Sequence, residues 1–130
     1  MTSAPGRSED NRHKLPRARR ITQGSEIRGL FQRGKRSRTA HLDVFDSTSS
    51  FAFPRVGIVV PKHKRNSVER NLLKRRLREV LRKDVLPKLR EREIPVDILV
   101  RARREAYLAT FTQLQDELIA LVDRKWSPVS

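Results

Sequence analysis

The chain has 130 residues, no cysteine, and 30 Lys/Arg against 15 Asp/Glu, giving a formal net charge of +15. That length suits one domain with one modest core. Without cysteine, disulfides and cysteine-ligated zinc are excluded, and no run of about 18 apolar residues offers a membrane span. A chain this basic repels itself unless an anion neutralises it, and nucleic acid is the partner that its charge suits best.

Residues 1–15 are small, polar and basic, and are expected to form a disordered tail. They hold no apolar stretch of the kind a secretion signal needs, so the expected location is the cytoplasm. The first predicted helix covers about 25–33. Ile27, Leu30 and Phe31 recur at helical spacing, and Gly34 stands where a C-cap would. Residues 41–46 alternate like a strand, with Leu42 and Val44 on one face and His41, Asp43 and Phe45 on the other. Residues 56–60 are apolar on both faces, as in a buried central strand.

The best-marked helix is expected over 67–86, with Ser67 as N-cap and a buried stripe of Leu73, Leu77, Val80 and Leu81. Pro87 is expected to end or kink it. Residues 96–100 form a second buried-type strand. Thr110 and Gln113 make a capping-box pattern ahead of a helix carrying Phe111, Leu114, Leu118, Leu121 and Val122. The expected fold is therefore a small single α+β domain over 16–126, in the order α-β-β-α-β-α, with helices packed on a mixed sheet and a polar tail at 127–130.

The charge is uneven. Residues 62–83 carry ten Lys/Arg against two acids, whereas residues 84–130 carry eight of each. On a helical wheel of about 100° per residue, Asn71, Lys74, Arg75, Arg78 and Arg82 fall within an arc of roughly 100°, beside the apolar stripe. Arginine grips phosphate with a planar fork, lysine adds a point charge, and asparagine donates to a backbone oxygen or a base edge. A charged helix face is ordinarily just solvated. Here like charges stand four apart (Arg70/Lys74, Lys74/Arg78, Arg78/Arg82), and each pair costs a few tenths of a kcal/mol, which favours an anionic partner.

Catalytic chemistry has little support. His13, His41 and His63 lack metal-ligand spacing, and no metal site is expected. Asp43 and Asp46 are three apart on a strand and so point to opposite faces, unlike the paired carboxylates of a two-metal nuclease. Gly34-Lys35-Arg36-Ser37 lacks the spacing and context of a phosphate-binding loop.

The central residues carry a family likeness. Arg70-Asn71-x-x-Lys74-Arg75-x-x-Arg78-Glu79 resembles the Arg-Asn-Arg-x-Lys-Arg-x-x-Arg motif of the bacterial ribonuclease P protein component. Arg55-Val56-Gly57-Ile58-Val59-Val60-Pro61-Lys62 resembles the strand before that motif. Arg20-Ile21-Thr22 with Glu26-Ile27-x-x-Leu30-Phe31-x-x-Gly34 resembles the family's first helix, and Asp97 to Ala102 resembles its later strand. The likeness covers about residues 15–122. At the third motif position this chain has Leu72 in place of arginine.

The resemblance implies a ribonuclease holoenzyme subunit for tRNA 5′ maturation that carries no catalytic residue. The catalytic RNA subunit would hold Mg2+ and hydrolyse the phosphodiester. RNA contacts are expected at Lys62, Lys64, Arg70, Asn71, Lys74, Arg75, Arg78 and Arg82. A cleft for the single-stranded 5′ leader of precursor tRNA is expected between sheet and first helix, with Phe31 and Phe45 offering rings to leader bases. Both rings also suit a core. Phe45 is the stronger cleft candidate because it shares a strand face with His41 and Asp43. A left-handed βαβ crossover is also implied, although about 98% of such units are right-handed. No membrane and no obligate protein partner are expected. The competing readings are a ribosomal-type structural rRNA binder, a DNA binder and a free-standing nuclease. The motif spacing ranks below it the rRNA binder, which composition alone would favour.

Overall fold

The computed structural model describes residues 15–127. The expected tail over residues 1–14 lies outside the described residues, as do residues 128–130. Leu15, the first described residue, is buried in the main core.

After a 3-10 turn at Arg17–Arg19, the elements are α1 (Gly24–Arg33), β1 (Lys35–Arg38), β2 (Leu42–Thr48), β3 (Arg55–Val59), α2 (Ser67–Val80), a π-helical turn (Leu81–Val85), α3 (Leu86–Glu91), β4 (Val96–Ala102), a 3-10 turn (Arg104–Leu108) and α4 (Phe111–Lys125). The four strands form one mixed sheet in the order β1-β2-β4-β3. β2 pairs antiparallel with both β1 and β4, while β3 pairs parallel with β4. The expected parallel unit β3-α2-β4 is therefore present. β1 is an addition to the sequence reading, because Lys-Arg-Ser-Arg has no apolar alternation to announce a strand.

The two sheet faces carry different cores. Leu42, Val44, Val56, Ile98 and Val100 pack against Leu73, Leu77, Val80, Leu81, Leu114 and Leu118 from the helices. The opposite face carries a smaller cluster of Ile21, Leu30, Phe45 and Leu99, edged by Ile27, Phe31 and Val59. This second layer explains why β3 and β4 are apolar on both faces. It also buries Phe45 and Asp43, which share the strand face expected to border the leader cleft: β2 lies inside the sheet and α1 packs against it.

Local chemistry sets the helix ends. Asn66, not Ser67, caps α2; its side chain accepts from the Glu69 N–H, and Glu69 accepts from the Asn66 N–H. Thr110 and Gln113 form the expected capping box on α4. Pro87 does not terminate the long helix. The backbone widens just before it, where the Leu86 N–H bonds Leu81 O five residues back, and helix resumes through α3. A wider turn relieves the clash of a proline ring with the preceding carbonyl and accommodates its missing donor. Gly34 caps α1 in an extended conformation with φ −71°. It is glycine because of crowding: a Cβ there would stand 2.5 Å from Leu30 O.

Candidate nucleic-acid interface

Two cationic surfaces are built on this frame. The first is α2 and the turn that leads into it. Asn71, Arg75 and Arg78 are exposed and Lys74 is half-buried, so the core stripe orients one side of the helix and leaves this ridge to solvent. Arg82 lies in the π-helical turn and donates to Glu79 at 2.6 Å. The widened turn and this ion pair set it apart from the free run of the ridge.

Lys62 and Lys64 are exposed on the turn between β3 and α2. The Arg65 N–H bonds Lys62 O at 2.8 Å. His63 and Lys64, in between, have φ of 45° and 64°. Non-glycine residues in the left-handed region cost roughly 1–2 kcal/mol each, so the surroundings must hold this turn. Tyr107 does much of this. Its hydroxyl donates to Pro61 O at 2.7 Å, the Arg65 guanidinium stands 5.1 Å from its ring centre, and His63 meets the ring edge-on. Burial pushes the Tyr107 phenol up, against the opposing pull of Arg70 and Arg65, which keeps it a neutral donor.

Arg70, the first motif residue, also turns inward. Its guanidinium donates to Val60 O at 3.4 Å, and its buried Nε has no hydrogen-bond partner among the described residues. By its place in the motif Arg70 is one more expected phosphate contact. The fold gives it a second task, holding the end of β3 against the start of α2.

The second surface is the sheet face beside α1. Phe31 and Phe45 meet edge to face with centroids 5.0 Å apart. Arg101 lies 5.0 Å from the Phe31 centroid and 5.1 Å from that of Phe45. Arg36 and Arg101 both donate to Asp43, at 3.3 and 3.1 Å, and Arg38 lies within 4.0 Å. Burial alone would raise the Asp43 carboxyl, but the hydrogen bonds from Arg101 and Arg36 outweigh it and hold it below the ordinary value. Asp43 thus serves as a hub for three arginines, two of which, Arg36 and Arg101, lie over the aromatic rings. Phe45 is 4 % exposed, so Phe31, which is half-buried, is the ring with surface left to offer.

The turn that leads into α2 adjoins this sheet face. A hollow of about 430 Å³ is lined by Pro61 and His63 from the turn, Arg38, Asp43 and Arg101 from the sheet, and Arg103 and Arg104 beyond β4. Arg36, Arg38 and Arg101 were not picked out from sequence. They become visible once β1 is known to pair Arg36 with Phe45 and Arg38 with Asp43, and β4 to pair Arg101 with Asp43. Lys125 from α4 reaches Asp46 on the opposite face, so the two aspartates are separated as their spacing required.

A family model described as Ribonuclease P matches residues 15–126. The chain belongs to the ribonuclease P protein family. It is 38% identical over 124 residues to the ribonuclease P protein component of Micrococcus luteus, covering 88% of this chain and 92% of that one. It is 33% identical over 114 residues to that of Acidothermus cellulolyticus, covering 85% and 90%. The fold is similar to the solved RNase P protein of Staphylococcus aureus, with a TM-score of 0.71 at 24% identity, covering 87% of this chain and all of that one. It is also similar to the RNase P protein of Thermotoga maritima, with a TM-score of 0.67 at 24% identity over 81% of this chain and 96% of that one. These ribonuclease P proteins share the small α+β domain described above.

Proposed function

We propose that the chain is the protein subunit of a ribonuclease P holoenzyme, which serves tRNA processing in the cytoplasm, and that it contributes binding rather than bond cleavage. The observation that carries this is the arrangement of two cationic surfaces, one a bare helical ridge and the other aromatic, joined through the Lys62–Arg65 turn. Lys62, Lys64, Asn71, Lys74, Arg75 and Arg78 grip phosphates of the catalytic RNA subunit. Such contacts fix position without reading sequence. Arg70 and Arg82 support this ridge through their own protein contacts.

The face formed by Phe31, Phe45, Arg36 and Arg101 takes the 5′ leader of precursor tRNA. An unpaired strand suits such a face: cations follow its backbone and rings receive its bases. Phe45 serves from below, as the support for Phe31 and the arginines.

Phosphodiester hydrolysis and its Mg2+ belong to the RNA subunit in this reading. Among the described residues, Asp43, Asp46 and Asp97 fit poorly as metal ligands because each is held by a lysine or arginine, and so does Glu117, which is bonded to His41 and Thr39. What the protein supplies is charge. Anionic RNA and anionic leader repel each other near the cleavage point, and a +15 chain between them lowers that repulsion. The experiment is co-purification: a single structured RNA with the fold of a ribonuclease P RNA supports the proposal, whereas ribosomal RNA points to the rRNA-binding alternative.

A further inference from the structure

Leu72 is an anomaly at the border of the cationic ridge. It follows Asn71 in the chain, where the family motif has arginine, its position on the helical wheel lies between those of Arg75 and Arg76, and it is 44% exposed. Single exposed hydrophobics are ordinary. Here, however, two of the four large exposed hydrophobics among the described residues, Val68 and Leu72, stand together on α2. Val68 precedes Leu72 by one helical turn on the same face. Leu108 follows Tyr107 in the 3-10 turn that packs against α2.

Between α2 and that 3-10 turn lies a hollow of about 190 Å³, lined by Glu69, Leu72, Leu73, Arg76, Ala106 and Tyr107. Its floor is apolar and partly aromatic. One cation lines it, the half-buried Arg76, which also donates to Ala109 O at 3.4 Å; Arg75, its neighbour on α2, is exposed beside the hollow, and the Glu69 carboxylate is neutralised by Arg65 at 3.0 Å. An apolar floor beside two arginines has the chemistry of a nucleotide seat, with a base in the hollow and its phosphates on the arginines. A second copy of this chain is disfavoured as occupant, because two +15 surfaces repel.

We propose that the hollow between Leu72 and Tyr107 seats one unpaired, unstacked base of the RNA subunit, with its flanking phosphates on Arg75 and Arg76. The inference rests on the functional reading above and adds to it a base contact where the family motif would place a phosphate contact. Leu72 therefore contributes affinity that salt does not screen.

The experiment measures binding of the RNA subunit across a salt series for the wild-type protein, Leu72→Ala, Leu72→Arg and Lys74→Ala, each checked for folding by circular dichroism. Leu72→Ala is expected to weaken binding at least about fivefold, or ~1 kcal/mol at 1.4 kcal/mol per tenfold, with the log–log salt slope unchanged. Lys74→Ala should make the slope shallower by about 0.7–0.9, and Leu72→Arg should make it steeper by a similar amount. Chemical probing should show one unpaired base protected by the wild-type protein and not by Leu72→Ala.

Equal binding by the wild-type protein and Leu72→Ala would overturn the seat while leaving the holoenzyme reading intact. A Leu72→Ala loss that carries a slope change like that of Lys74→Ala would also overturn it. So would a wild-type dimer at assay concentration that Leu72→Ala dissociates, which would make the patch a contact between copies. Failure of the wild-type protein to bind the RNA subunit at all would overturn both readings.

Discussion

Arg101 stands over two rings at once, 5.0 Å from the centre of Phe31 and 5.1 Å from that of Phe45, while donating to Asp43 at 3.1 Å. One side chain from β4 therefore ties α1, β2 and the buried carboxylate together. The rings it joins have different exposure, and this separates their roles.

Phe31→Ala should leave the protein folded and weaken binding of leader-bearing precursor tRNA roughly 5- to 150-fold, from about 1–3 kcal/mol per stacked base. Mature tRNA binding should change little. Phe45→Ala should instead lower stability by about 3–5 kcal/mol, as for truncation of a buried phenylalanine. Leader titrations paired with urea melts of both variants check this. A fully stable Phe45→Ala variant with a selective leader defect would return Phe45 to the contact surface.

Arg55 is the joint between α1 and the sheet. It is buried, it donates twice to Asp97 at 3.0 and 2.8 Å, and it reaches Glu26 of α1 at 2.9 Å. These bonds, led by those to Asp97, raise its pKa further. Arg55→Met leaves Asp97 and Glu26 without their shared cation. Breaking such a pair by removing one partner costs about 3–5 kcal/mol. Chemical denaturation should show that loss, and hydrogen exchange should show α1 opening first.

Acid should act through Asp43. Its folded pKa lies below the ordinary carboxylate value, so its contribution to stability is fully present above about pH 4 and is lost as pH falls through the folded value. Asp43→Asn should be less stable than wild type at neutral pH. The two should converge as the pH drops below about 4. Urea midpoints measured from pH 7 downward give the difference curve; a constant difference would mean that Asp43 is not the titrating group.

On the ridge, salt separates contact from support. With about five phosphate contacts, RNA binding should show a log–log salt slope of roughly −3.5 to −4.5, at 0.7–0.9 per contact. Arg78→Ala should remove one contact from that slope. Arg70→Ala should change the slope less and destabilise the Lys62–Arg65 turn more, because its guanidinium is engaged with Val60 O. Equal slope losses for the two variants would make Arg70 an ordinary phosphate contact.

Much of this was legible in the residue pattern, for definable reasons. Leu73, Leu77 and Val80 announce α2 because helical spacing survives any tertiary context, and the Thr110/Gln113 capping box is a local signal. The ridge follows from α2 alone, so Asn71, Lys74, Arg75 and Arg78 were readable. What depends on pairing was not. β1 has no apolar residue, so its arginines join the site only through register with β2. The depth of Phe45 depends on α1 crossing the sheet, which no alternation in β2 can reveal. The inward turn of Arg70 depends on the position of Val60, ten residues away. Pro87 predicts a stop or kink because proline usually breaks a helix, but one widened turn accommodates it.

Reconstitution tests the central claim most directly. Precursor tRNA is incubated with the RNA subunit from the same organism, with and without this protein, at limiting Mg2+ and near-physiological ionic strength. The account predicts cleavage at the mature 5′ end that is strongly stimulated by the protein, no cleavage by the protein alone, and loss of stimulation in a Lys74→Ala/Arg78→Ala double variant that remains folded. Unstimulated cleavage with the folded wild-type protein, or cleavage by the protein without RNA, would contradict it.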